Sequence, residues 1–117
     1  MFTKASLEDF QSTLPGVRIK TLVYGEKTLM VEVHLQKGSE LPLHKHPHEQ
    51  TGTMLSGAMR LIVEDQPFEV NPGDSWCVPG DAQHRVEVLE DTVVVEVFAP
   101  LREDYLVYLP KNVGAQG

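Results

Sequence analysis

The chain has 117 residues, a formal net charge of -7 and 41% hydrophobic residues. That length supports one core rather than two, and the apolar content suits a globular chain rather than a disordered one. The acidic balance excludes the basic face that nucleic acids or anionic membranes demand, and no stretch approaches the ~20 apolar residues of a membrane span.

The first residues, MFTKASLEDFQSTLPG, contain no apolar run and carry Glu8 and Asp9, which reads against a secretory signal. Residues 6–12, SLEDFQS, are predicted to form one helical turn capped by Ser6. Beyond Pro15 and Gly16 the pattern changes to period two. Val17–Tyr24 alternates, Gly25-Glu26-Lys27 turns the chain, and Leu29, Val31, Val33 and Leu35 then share one face, with Met30, Glu32 and His34 on the other. Further strands are predicted over Thr51–Leu55, Met59–Glu64, Phe68–Val70, Ser75–Val78, His84–Leu89, Thr92–Phe98 and Tyr105–Leu109. Turn signals such as Asp65-Gln66-Pro67, Asn71-Pro72-Gly73-Asp74 and Pro79-Gly80-Asp81 separate them. The expectation is an all-β antiparallel sandwich or barrel with little helix. It forms one domain over residues 1–117, with its core at 17–109 and a frayed tail at 110–117. The lone cysteine, Cys77, can form no intrachain disulfide and suits a reducing compartment, so a cytoplasmic protein is expected. Edge runs near the termini, Val17–Tyr24 among them, are candidates for pairing two copies into a homodimer.

Three of the five histidines fall in LPLHKHPHEQTG, residues 41–52. Residues two apart on a strand point to the same face, so His44 and His46 align, and Gln50 keeps that parity if the strand continues through Pro47. His84 begins HRVEVL, in which His84, Val86 and Val88 share a face. Three imidazoles and one amide oxygen suit Mn, Fe, Co, Ni, Cu or Zn better than Mg or Ca. The same histidines are equally compatible with an exposed, solvated loop. Glu49 has the wrong parity to join them. His48 is placed near the mouth of the fold, and His34 reads as a sheet histidine without metal.

The glycine spacing adds to this. GSELPLHKHPHEQTGTMLSG and GDSWCVPGDAQHRVEV resemble the two-part signature of the cupin superfamily over residues 30–100. The resemblance implies a small cupin double-stranded β-barrel of jelly-roll type, with one divalent transition metal (Ni, Zn, Mn or Fe) held by His44, His46, Gln50 and His84. Gln50 stands where many cupins have Glu, Asp81 where the second half has Gly, and Val88 where it has Asn. A glutamine contributes no charge, so the ion would be held more weakly but act as a stronger Lewis acid.

Glu96 interrupts the apolar run of Thr92–Phe98, and a carboxylate there must be solvated, paired or useful. From pattern alone, Arg102 reads as a surface partner of Glu103 or Asp104. HPHEQ followed by PLREDYL resembles the KdgF type of small cupins, which open 4,5-unsaturated uronates into linear keto acids. That resemblance implies catalytic roles for Glu96 and Arg102, substrate binding by Phe98 and Arg102, and a carboxylated sugar as the small-molecule substrate. The family acid is Asp where this chain has Glu96. Two other readings compete: a metal-dependent cupin dioxygenase, and a non-catalytic small-ligand-binding cupin.

Overall fold

The structure is a computed structural model that describes residues 1–111; the predicted frayed tail lies for the most part outside the described residues. Eight strands form a single antiparallel sheet: β1 (Gln11–Leu14), β2 (Val17–Tyr24), β3 (Leu29–Leu35), β4 (Glu40–His44), β5 (Glu49–Val63), β6 (Gln66–Val70), β7 (Ser75–Val78) and β8 (His84–Ala99). The main path runs β1-β2-β3-β8-β5-β6, with β4 pairing on β8 and β7 on β5. The ladder is open between β1 and β6 rather than closed by hydrogen bonds, while the wrap of its strands is that of a jelly roll.

The period-two reading of the core holds in detail. On β3, Leu29, Val31, Val33 and Leu35 are buried and alternate with half-buried Met30, Glu32 and His34. On β8, His84, Val86, Val88, Val94 and Phe98 face inward. Each large apolar side chain so buried contributes about 1.5–3 kcal/mol relative to exposure. Thr51–Leu55 and Met59–Glu64, separate by pattern, fall on the single long β5 except for Glu64, which begins the turn, and the register of β5 against β8 shifts between Met54 and Met59. His84–Leu89 and Thr92–Phe98 likewise merge into β8. The hairpin between β5 and β6 turns at Glu64 and Asp65, both with positive φ (47° and 66°), and Pro67 sits in the edge strand β6.

Three expectations are corrected. Residues 6–12 form no helical turn; the Ser6 hydroxyl accepts from Glu8 N–H at 2.9 Å, but Gln11–Leu14 is a strand on β2. Tyr105–Leu109 is not a strand, because Glu103–Tyr108 forms a 3-10 helix. Its inward residues Tyr105, Leu106 and Tyr108 pack on the core at a spacing that no strand could present to one face. Val17–Tyr24 is not free along its whole edge: β1 pairs with Val17–Ile19, and Thr3 Oγ1 donates to Leu22 O. Lys20, 2% exposed, donates from Nζ to the carbonyls of Ser6 and Glu8.

Candidate metal centre and active site

The two halves of the histidine pattern meet through backbone pairing. His44 closes β4 directly opposite His84, the first residue of β8. The chain leaves β4, bends at Pro47 and His48, and re-enters the sheet at Glu49. Gln50 therefore reaches the site from a new strand, paired with Val78 and Phe98, rather than by unbroken parity. The bend is fastened by Asp81 N–H, which donates to His46 O at 2.8 Å. Asp81 occupies the left-handed region (φ 65°), which aspartate tolerates where the family pattern has glycine.

Ligand nitrogens of His44, His46 and His84 lie within 4.8 Å of one another. Each ring is oriented by its own backbone: Nδ1–H donates to Pro42 O in His44 (2.7 Å), to His48 O in His46 (3.0 Å) and to Ala82 O in His84 (2.9 Å). A carbonyl can only accept, so Nδ1 carries a proton in each ring and Nε2 is the nitrogen left free to serve as a ligand atom. His84 Nε2 is buried with no hydrogen-bond partner among the described residues. His46 Nε2 faces Gln50 Oε1 at 3.0 Å. Gln50 Nε2 donates to Glu96 Oε2, which fixes the amide and leaves Oε1 as an acceptor beside an acceptor. An orphaned nitrogen and two opposed lone pairs fit a cation, and a neutral donor set rich in imidazole fits a divalent transition ion. Burial lowers the pKa of His46 and His84, with Arg102 adding to the effect, so their lone pairs stay available near neutral pH.

The cluster opens on a cavity of about 250 Å³ whose lining includes His44, Gln50, His84, Glu96, Phe98 and Arg102. Burial raises the Glu96 carboxyl above its usual range, against the opposing pull of the Gln50 and Trp76 donors and of Arg102. Phe98, 2% exposed, stands edge-on to His46 with ring centres 5.6 Å apart. Arg102 does pair with Asp104, through Nε at 3.3 Å, but it is no surface residue. Its side chain is 13% exposed, and its guanidinium lies 3.8 Å from the Tyr105 ring centre and 4.9 Å from that of Phe98. Burial pushes the Tyr105 phenol up to about 12, so it stays protonated under the cation.

Every residue singled out for the site thus borders one cavity or its histidine cluster. Glu49 is exposed, as expected, because it precedes buried Gln50 on β5 and so projects to the other face. His48 is half-buried with its ring 5.8 Å from that of His46 and supplies a carbonyl. His34 stands apart, bonded to Glu32 at 2.6 Å, with its ring tilted 58° against that of Phe10. Sequence reasoning missed Trp76 and Tyr105. The only signal for either was an aromatic within a motif segment, WCVPG or REDYL, and that does not distinguish packing from function.

This fold and this inward histidine cluster define a cupin. The family model for the cupin domain matches residues 31–101, and the chain belongs to that family. Among curated proteins it is similar to the pectin degradation protein KdgF of Dickeya dadantii, 29% identical over 78% of this chain and 84% of that one. It is also 28% identical to the H2HPP isomerase of Bacillus subtilis, over 76% of this chain but 39% of that one. Among solved structures, KdgF from Halomonas sp. superposes with a TM-score of 0.84 at 28% identity, covering 89% of this chain and 96% of that one. Among the described residues, no helix is long and apolar enough to cross a membrane.

Proposed function

We propose that this protein is a metal-dependent enzyme that opens 4,5-unsaturated uronates, or a closely related sugar acid, into linear keto acids. The observation that carries the reading is the placement of a buried carboxyl, Glu96, and a stacked guanidinium, Arg102, on one cavity with the histidine cluster, in a chain similar to KdgF proteins in sequence and structure.

His44, His46, His84 and Gln50 would hold the divalent ion, which supplies Lewis acidity that lowers the pKa of a bound hydroxyl. Arg102 grips the substrate carboxylate. Its Nε is taken by Asp104, which leaves both Nη groups to bind the two oxygens. This local positive charge offsets the repulsion between an anionic sugar and a chain of net charge -7. Phe98 walls the reacting face. Glu96 takes the proton of the anomeric hydroxyl as the ring C–O bond breaks, which yields an aldehyde and an enolate. It then returns that proton to C4, and the enolate becomes the 2-oxo acid. No atom is gained or lost. A carboxyl whose pKa is raised by burial can both accept and give this proton, a role worth about 10²–10⁴-fold. The enzyme acts in the cytoplasm, in keeping with an exposed, unpaired Cys77, and as a homodimer.

The test is turnover of an unsaturated uronate, followed by loss of its ultraviolet absorbance, with and without chelator. Metal-loaded protein should accelerate the loss, and Glu96→Gln should bind substrate yet lose turnover by about 10²–10⁴-fold. Disappearance at the spontaneous rate in every sample rejects the reaction.

A further inference from the structure

Glu96 stands at one end of a row of three cross-strand neighbours. Gly52 on β5 is paired with Trp76 of β7 on one side and with Glu96 of β8 on the other. Residues opposed in an antiparallel ladder project to the same face. The middle member has no side chain, so the Trp76 indole lies across it and reaches the second strand over, where Nε1–H donates to Glu96 Oε2 at 3.3 Å. A Cβ at position 52 would come within 2.6 Å of three indole atoms, so glycine is what leaves the slot open. The same Oε2 accepts from Gln50 Nε2. Two donors converge on one oxygen, and Oε1 is left without a donor among the described residues.

We propose that Trp76 is a positioning residue: through the slot over Gly52 it pins Oε2 of Glu96 and turns Oε1 toward the substrate as the proton-carrying atom. This depends on Glu96 being the proton carrier of the reaction proposed above. An indole suits the task because its N–H is a donor only. A hydroxyl in its place could accept the proton itself and divert it. The ring is also held by packing, being partly buried against the core, so the donor has one orientation.

Trp76→Phe keeps an aromatic ring in the slot and removes the N–H. With metal-loaded protein and an unsaturated uronate, kcat should fall on the order of 10-fold while KM stays unchanged. A folded variant with wild-type kcat, or one that changes only KM, overturns the assignment. A second measurement needs no turnover. Trp76 is the only tryptophan in the chain, so indole emission reports the surroundings of this one ring. Glu96→Leu removes the anionic acceptor at similar volume, and emission should move to shorter wavelength. Emission that is identical in the wild-type protein and this variant overturns the contact and with it the role. If wild-type protein leaves the uronate at its spontaneous rate, the reaction and this catalytic role fall together. The emission shift then decides separately whether the Trp76–Glu96 pairing stands.

Discussion

Replacing His84 by Leu separates a metal ligand from a core residue, because its effect should change sign with the metal. His84 is 2% exposed and its Nε2 has no partner among the described residues. A buried, unsatisfied polar group costs about 1–3 kcal/mol, while losing the Nδ1–H bond to Ala82 O gives back about 1 kcal/mol. With chelator present, His84→Leu should therefore match the wild type or exceed it by about 0–2 kcal/mol. Unfolding entropy of ~2.1 cal/mol/K per residue makes 1 kcal/mol worth about 4 °C for 117 residues, so the gain is at most about 8 °C. With free metal a thousandfold above its Kd, the wild type should gain about 4 kcal/mol, or about 16 °C. The variant should lose most of that increment. Scanning calorimetry of both proteins, with chelator and with a divalent transition ion, reads all four values. The same metal-induced rise in wild type and variant would refute the ligand role. A large loss of stability already in chelator would refute the argument from the orphaned nitrogen.

The apo protein should also depend on pH in a definite direction. His46 and His84 titrate below 6.5 in the fold, so between that value and their lowered ones the unfolded chain binds more protons. Stability from these two groups should be full above pH 6.5, fall as pH drops from 6.5 to the lowered values, and level off below them. Urea unfolding at a series of pH values in chelator checks this, and a flat profile below 6.5 contradicts it. Gln50→Glu should tighten metal binding in a competition titration yet reduce turnover, since it replaces the N–H that Glu96 accepts with a second carboxylate. Arg102→Lys removes the planar group stacked on Tyr105 and its paired donors, so KM for a carboxylated sugar should rise on the order of 10-fold in steady-state kinetics.

Much of the fold could be read before any coordinates. Alternation on Leu29–Leu35 and on both halves of β8 gave the buried face residue by residue, because a strand in this sheet has one wet side. The failures fall where local pattern is silent about tertiary partners. SLEDFQS carries a good cap, but β2 offered it a ladder. YLVYL, residues 105–109, alternates loosely enough to pass for a strand, whereas packing of Tyr105 and Tyr108 on the core selects a tighter turn. At the site, the donor types were legible and the route that gathers them was not. Parity through Pro47 placed Gln50 on the correct face for the wrong reason. It is the His44–His84 register and the bend at residues 47–48 that bring the groups together. Arg102 shows the same limit, since an ion pair with Glu103 or Asp104 was visible in the sequence and the aromatic bed beneath it was not.

The antiparallel pair β5 and β8 has a consequence for how accurately the site is built. His84 faces Val63 at one end of this ribbon, and Phe98 faces Gln50 at the other. Yet His84 and Phe98 both stand within one ring's reach of His46, so the ribbon must double back for its ends to meet. It turns where the register shifts, and there the buried Thr92 hydroxyl accepts from Ala58 N–H and donates to Glu90 O. Alignment of His84 with Phe98 and its near neighbour Glu96 is thus set at a corner remote from them all, as the opening of a pair of calipers is set at its pivot.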